Sequence, residues 1–356
     1  WDGVSRFSFV IYGLDEQENG YTFIDFAALV EISPLQNEVR IIDINTNFAP
    51  VYVSPDVNRT IRNTLVYFES RNESVEMSTL LFDMQQLTAS SIDGYIMVSK
   101  EGFQEIFKDL GRVNLTAPSE VYDSDLDGFM IERNSNIVVE DFLKFMAADE
   151  NGYNDKMARQ VSGIQELTKE FSTLRFLIGI QERFDNIENS VYTNISKNDL
   201  FRVFYFMKYR KNTTYRVGYI QSHPGYIVQT ALGEVWRPVY ETIDGDLVKV
   251  FINNDSKLEQ ATIDVLNSTR QAGLASSRAR WLKNRGLRVV VVGNSQKELP
   301  ITEIYVSEPE KFVYTLEEIK NTLYGEVEII RQEYPDRSVG DIVVVLGEDE
   351  IITYGE

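Results

Sequence analysis

The stretch Phe7–Ile32, FSFVIYGLDEQENGYTFIDFAALVEI, constrains the fold more than any other part of the chain. Two apolar runs, Phe7–Tyr12 and Phe26–Val30, flank a polar loop in which Gly13, Asn19 and Gly20 supply turn chemistry. Unbroken apolar runs of this length suit strands covered on both faces, as in the middle of an α/β sheet. Asp15 lies just past the first run and Asp25 just before the second. If the runs pair as neighbours, both carboxylates reach one end of the sheet, where open α/β folds tend to bind ligands. There the pair could hold a divalent cation or cap loop backbone, and the residues alone leave both open.

At 356 residues the chain is long for one core, so two domains are expected. No apolar run approaches the roughly 18–20 residues that a membrane span needs. The formal net charge of −20, from 55 acids against 35 bases, repels nucleic acid and anionic headgroups. With no cysteine there are no disulfides, thiolate nucleophiles or Cys-based metal sites. The one histidine, His223 in QSHPG, reads as a solvated loop residue, which sets aside His-base catalysis and His-rich zinc sites. Carboxylates, arginines, hydroxyls and oxygen-held metals remain.

Along the chain, Arg40–Asn47 reads as a third strand and about Ser74–Thr88 as a helix. In Ile92–Pro118, Tyr95–Val98 reads as a strand, Lys100–Leu110 as an amphipathic helix stopped by Gly111, and Val113–Leu115 as a strand. Such a β-α-β series argues for a layered α/β domain. Asp123–Gly128, DSDLDG, opens like an EF-hand loop, but Asn134 stands where a bidentate Glu is needed. A hairpin turn between Glu120–Tyr122 and Phe129–Glu132 is the better reading. Val139–Ala148, Asn154–Leu177 and Asn194–Lys208 read as helices, the second with Met157, Val161, Ile164, Leu167 and Phe171 on one stripe. Val217–Ile252 reads as strand-like, and Asn253–Ser256 as a linker. A second α/β pattern follows: strands at Ala261–Leu266, Leu287–Val292, Glu303–Val306 and Asp341–Leu346, with helices at Ala272–Asn284 and Leu316–Leu323.

The order of these pieces resembles the LytR-CpsA-Psr (LCP) family of bacterial cell-envelope proteins. IDGYIMVSKEGFQEIFKDLGRVNLTAP (Ile92 to Pro118) is similar to the family's strand–helix–strand, with Leu110-Gly111-Arg112-Val113 at its LGGV-like turn. VLNSTRQAGLA (Val265 to Ala275), Val292-Gly293-Asn294 and VVVLGED (Val343 to Asp349) resemble motifs of its accessory C-terminal domain. The resemblance implies an α/β/α sandwich around a mixed central sheet over residues 1–254, then a small α/β domain over 255–356. Taken alone, VLNSTRQAGLA reads more simply as a strand–turn–helix connection ordered by Asn267 or Ser268.

Family members sit on the outer side of the membrane behind one N-terminal membrane helix, so the resemblance implies an extracytoplasmic chain anchored by a segment before Trp1. Catalytic members transfer a glycopolymer from a polyprenyl-pyrophosphate carrier to a cell-wall acceptor. The pyrophosphate calls for arginine forks and magnesium, and the lipid for an apolar tunnel. By the resemblance Asp15, in Gly13-Leu14-Asp15, and Asp25 are magnesium ligands. The family's arginines meet Gln17, Phe23 and the Ile44-Asn45-Thr46-Asn47 stretch, and its Y-x-R-x-R helix meets Phe145–Asp149. In Tyr153–Gln160 only Arg159 and Gln160 match, and Lys156 replaces an arginine without its bidentate fork.

Each charge-assisted hydrogen bond to a phosphate contributes on the order of 1.5–3 kcal/mol, so these losses remove most of the expected affinity. The expectation is a divergent, non-catalytic binding or structural component of the envelope, partnered by an envelope protein, a cell-wall glycopolymer or a polyprenyl phosphate lipid. The alternatives are an active phosphotransferase that uses Lys156, Arg159, Gln160 and a metal, with Arg59 or Arg62 compensating, or a polyprenyl-lipid-binding module. Asp155, four residues before Arg159, offers that arginine a purely structural partner.

Overall fold

The computed structural model describes residues 1–49, 59–71, 77–108, 111–117, 120–123, 129–148, 152–170, 190–209, 213–221, 227–230 and 233–351. His223, residues 124–128 of DSDLDG, Leu110, Asp149 and residues 171–177 of the expected helix lie outside them. The chain packs into two compact units, 1–81 with 92–239 and 82–91 with 240–356. The longer stretch of the second unit starts at Tyr240. The polar run Asn253–Ser256 is a helix start, not a linker. Asn253 is buried, its side-chain oxygen accepts from the Asp255 and Ser256 amides at 2.9 and 3.2 Å, and its Nδ2 donates to Glu318 at 2.7 Å.

The first unit runs β1 (Phe7–Glu16), β2 (Thr22–Ser33), β3 (Glu38–Asp43), α1 (Thr64–Glu69), the start of α2 (Met77–Thr88), β4 (Gly94–Val98) and α3 (Lys100–Phe107). It continues through β5 (Arg112–Thr116), β6 (Val121–Asp123), β7 (Phe129–Ile131), β8 (Asn134–Val138), α4 (Val139–Ala147) and α5 (Tyr153–Glu170). Its last pieces are β9 (Val191–Thr193), α6 (Lys197–Tyr209), β10 (Thr214–Tyr219), β11 (Ile227–Thr230) and β12 (Gly233–Trp236). The central sheet is mixed, in the order β10-β3-β2-β1-β4-β9, with β1 parallel to β4 and β10 parallel to β3.

Alternation along β1 explains its unbroken apolar run. Phe7, Phe9 and Ile11 join Ala28, Val30 and Ile32 of β2 against Leu200, Val203 and Phe206 of α6 and Ile164 of α5. Val10 and Tyr12, both fully buried, point the other way, and the Tyr12 hydroxyl donates to the Leu80 carbonyl of α2 at 3.4 Å. Helices therefore cover both faces, giving the expected α/β/α sandwich. Strands β1 and β2 pair antiparallel with one irregularity: Gly13 faces Phe26 and Leu14 faces Ile24, so Asp25 is an inserted residue, a β-bulge toward the turn end of the hairpin.

Strand β5 departs from the expected β-α-β series. It pairs antiparallel with β8 outside the central sheet, and Val113, Leu115, Ile137, Phe142 and Phe145 form a separate core there. Its exposure alternates residue by residue, a pattern that covers one face only and does not suit a central parallel strand. Strands β6 and β7 pair antiparallel around DSDLDG, as the hairpin reading expects.

The second unit continues with α7 (Tyr240–Phe251), α8 (Asn254–Glu259), β13 (Thr262–Asn267), α9 (Leu274–Asn284), β14 (Arg288–Asn294) and β15 (Thr302–Tyr305). It closes with α10 (Val313–Thr322), β16 (Val327–Ile330) and β17 (Ile342–Leu346). Helix α7 corrects the strand-like reading of 217–252. Ile243, Leu247, Val250 and Phe251 are buried at spacings of four, three and one, a helical stripe that the Val and Ile content disguises. The sheet order is β14-β13-β17-β15-β16, with β13 parallel to both neighbours. Residues 82–91 are tied into this unit. Arg280 donates to the Gln86 and Leu87 carbonyls at 2.6 and 3.1 Å, Arg285 to Ser90 at 2.5 Å, and Ser91 to the Asn321 carbonyl at 3.2 Å. Among the described residues no helix is long and apolar enough to cross a membrane.

Candidate functional site

Asp15 and Asp25 do emerge at one end of the central sheet, on paired strands. Asp15 lies opposite Phe23, and its carboxylate accepts from Gln17 Nε2 at 2.6 Å. Asp25, pushed out by the bulge, faces Arg62, whose Nη2 is 3.5 Å from its Oδ1. The Arg62 guanidinium also lies over the Phe23 ring, 5.6 Å from its centroid. Backbone bonds hold Arg62 there: the Ile24 amide donates to its carbonyl at 2.9 Å, and its own amide donates to Thr46 at 2.7 Å. The segment before α1 therefore brings a cation beside Phe23 and Asp25.

Both carboxylates have donors beside them, one neutral and one positive, and among the described residues no three acids or histidines gather as metal ligands. A magnesium ion takes one or two carboxylates and completes its shell with water and substrate phosphates. At Asp25 such an ion would compete with the Arg62 guanidinium, 3.5 Å from Oδ1.

Helix α5 carries the other three residues. Arg159 is 1 % exposed; its Nη1 donates to Asp155 and its Nη2 to the Ala148 carbonyl just past α4. Gln160 is also buried and donates to the Met146 carbonyl at 3.0 Å. Both side chains thus serve the joint between α4 and α5. Lys156, half-exposed one turn earlier, is near enough to Asp43 at the end of β3 to favour its charged form. Burial pushes the Asp43 carboxyl well above the usual carboxylate range, against the smaller opposing effects of the Ile44 amide and of Lys156. The site residues accordingly fall into two groups, the hairpin end with Asp15, Asp25 and Arg62, and α5 with Lys156, Arg159 and Gln160.

Sequence reasoning missed the part played by Asp43, although an acid among Ile41, Ile42 and Ile44 was the signal for it. Arg62 was named only as a possible compensating base, because nothing local shows which strand end its segment will reach. The other positions where the resemblance implies arginines fall on Thr46, which is buried and accepts the Arg62 amide at its carbonyl, on Ala147 at the end of α4, and on Asp149, outside the described residues.

Residues 260–349 match the family model described as LytR cell envelope-related transcriptional attenuator. In sequence the chain matches no curated protein. Among solved structures, B. subtilis TagV is similar at a TM-score of 0.53 and 12 % identity, over 80 % of this chain and 98 % of TagV. The Enterococcus faecalis transcriptional regulator EF0465 gives 0.52 and 12 %, over 80 % and 89 %. TagT, solved bound to LIIa-WTA, gives 0.52 and 15 %, over 69 % and 89 %. At these identities the likeness concerns the fold. The chain has the LytR-CpsA-Psr fold and carries a LytR-type C-terminal domain.

Proposed function

We propose that this chain is a divergent cell-envelope protein whose LCP-fold unit serves binding or structure and does not transfer a glycopolymer. One observation carries this reading: Arg159, the arginine that matches the family's pyrophosphate helix, spends its guanidinium on Asp155 and the Ala148 carbonyl. With both terminal nitrogens turned to internal acceptors and the side chain 1 % exposed, it presents no open bidentate fork to a phosphate. The arginines lost at Gln17, Phe23, Thr46, Ala147 and Asp149 point the same way. TagT in complex with LIIa-WTA supports a glycopolymer as one partner class. The net charge of −20 disfavours a polyanionic polymer and nucleic acid alike, so an uncharged glycan or a basic protein face suits this surface better. The envelope location and an anchor before Trp1 belong to the same proposal.

A second reading, an active magnesium-dependent phosphotransferase, draws on Arg62, which stands beside Asp25 and over Phe23. Titration of the chain with farnesyl pyrophosphate, with and without magnesium, separates the two. The binding reading expects no magnesium-dependent affinity. Tight, magnesium-dependent binding lost in both Arg62→Ala and Asp25→Ala would overturn it in favour of the transferase. Equal binding of free farnesol would instead indicate a polyprenyl-lipid module.

A further inference from the structure

We infer that the LytR-type C-terminal domain holds a saccharide-binding cleft at the carboxyl ends of β13 and β14, sized for one or two uncharged sugar units. The topology places it. From β13 the chain passes through α9 to β14 on one side, then crosses the strand ends to β15 on the other side of β17. Such a reversal leaves a crevice outside the carboxyl ends of the strands, the usual ligand position in open α/β sheets. A cavity of about 380 Å³ lies there between the loop after β13 (Asn267–Ala272) and the loop after β14 (Asn294–Glu298). That is the low end of small-molecule pockets.

The walls are fixed before any ligand arrives. Asn267 accepts from the Thr269 amide and hydroxyl, each at 2.9 Å, and donates to the Gln271 carbonyl at 2.9 Å. Ser268 donates to the Leu346 carbonyl at 2.6 Å and accepts from the Leu299 amide at 3.2 Å. The Ser295 amide donates to the Asn267 carbonyl at 2.8 Å, joining one loop to the other. These bonds consume the polar groups at the base of the cleft, as the simple turn reading of VLNSTRQAGLA expects. A ligand would therefore meet a surface that needs little reordering.

What remains for recognition is higher on the walls. The side chains of Asn294 and Gln296 are exposed and have no hydrogen-bond partner among the described residues. Each primary amide offers a donor and an acceptor side by side, the complement of vicinal hydroxyls. The charges in the cleft are already answered: Arg270 lies 3.4 Å from Glu298, and Lys297 donates to the Tyr305 hydroxyl at 3.0 Å, which in turn donates to the Glu303 carboxylate at 2.6 Å. A wall of amides and hydroxyls with balanced charge suits an uncharged, hydroxyl-rich ligand better than a phosphate or an apolar one.

The test uses the full chain, isotopically labelled, titrated with cellobiose, maltose and N,N′-diacetylchitobiose, and separately with inorganic phosphate. The expected result is saturable amide shifts from at least one disaccharide, gathered on 268–272 and 294–298. The double variant Asn294→Ala/Gln296→Ala should weaken that binding by at least about tenfold, with unchanged thermal unfolding. Absence of shifts from all three sugars in the millimolar range, shifts gathered elsewhere, or undiminished affinity in the double variant would each overturn the inference. The same shifts from phosphate alone would also overturn it, assigning the cleft to anions. None of these outcomes bears on whether the LCP-fold unit is catalytic, because that unit contributes no residue to the cleft.

Discussion

Truncating Arg159 distinguishes a brace from a ligand arginine. In Arg159→Ala, Asp155 and the Ala148 carbonyl both lose their donor. Two charge-assisted hydrogen bonds contribute about 1.5–3 kcal/mol each. The Asp155 side chain is 22 % exposed and recovers part of its hydration, while Ala148 is buried and recovers none. The expected loss is therefore near the lower sum, about 3 kcal/mol. Arg159→Lys keeps the charge without the fork and should lose roughly half as much. Because the chain has two units, one bulk transition would mix them. Hydrogen exchange across a urea series, followed on peptides from 152–170, reads α5 directly. At an m-value of about 3 kcal/mol per molar urea, the midpoint for these peptides should fall by about 1 M. A loss under about 1 kcal/mol, together with a tenfold drop in farnesyl pyrophosphate affinity, would refute the reasoning and make Arg159 a binding residue.

Asp43 gives a pH signature. Burial raises its folded pKa, so above the ordinary carboxylate range the folded state holds a proton that the unfolded state has lost, and stability falls as pH rises through that window. Asp43→Asn should therefore unfold at a higher temperature than wild type at pH 7, with the advantage vanishing near about pH 4; a destabilised variant at pH 7 would contradict this. Glu350, fully buried, accepts from Arg278 Nε at 2.5 Å and from the Gly325 amide at 2.8 Å. Glu350→Ala leaves the buried Arg278 charge without that carboxylate and should cost about 3–5 kcal/mol in exchange-detected unfolding of 274–284, whereas a cost below about 1 kcal/mol would contradict it. Arg62→Ala removes an exposed ion pair and should change stability by less than about 1 kcal/mol. The same change frees Asp25, so calorimetry should show magnesium binding stronger in the variant than in wild type; equal or weaker binding would count against the arrangement.

The sequence was most readable where one physical signal dominated. The opening hairpin followed from two apolar runs, and α5 from its stripe, of which Met157 and Leu167 are buried and Ile164 packs on the sheet core. The Asp155–Arg159 contact followed from helical spacing alone. Features that depend on distant chain were hidden. The bulge at Asp25 needs both strands to be seen, and Arg62 reaches the hairpin only through bonds to Thr46 and Ile24. Helix α7 was obscured because Val and Ile content speaks for strands while spacing speaks for a helix, and the spacing won. At Asn253 a polar run resembled a linker, yet Asn followed by Asp in a first helical turn is also the signature of a cap.

The excursion of residues 82–91 into the second unit sets an order of events during synthesis. Its partners follow far behind, 193 to 195 residues for the bonds from Arg280 and Arg285 and 230 residues for Ser91 with Asn321. At translation speeds of about 5–20 residues per second, this segment emerges on the order of 10–40 s before Arg280 and Arg285 do. In that interval this segment, with its apolar Phe82 and Leu87, lacks the bonds that Arg280, Arg285 and Asn321 later provide. A chaperone or early aggregation would act on the nascent chain at this stretch, long before the C-terminal domain exists to claim it.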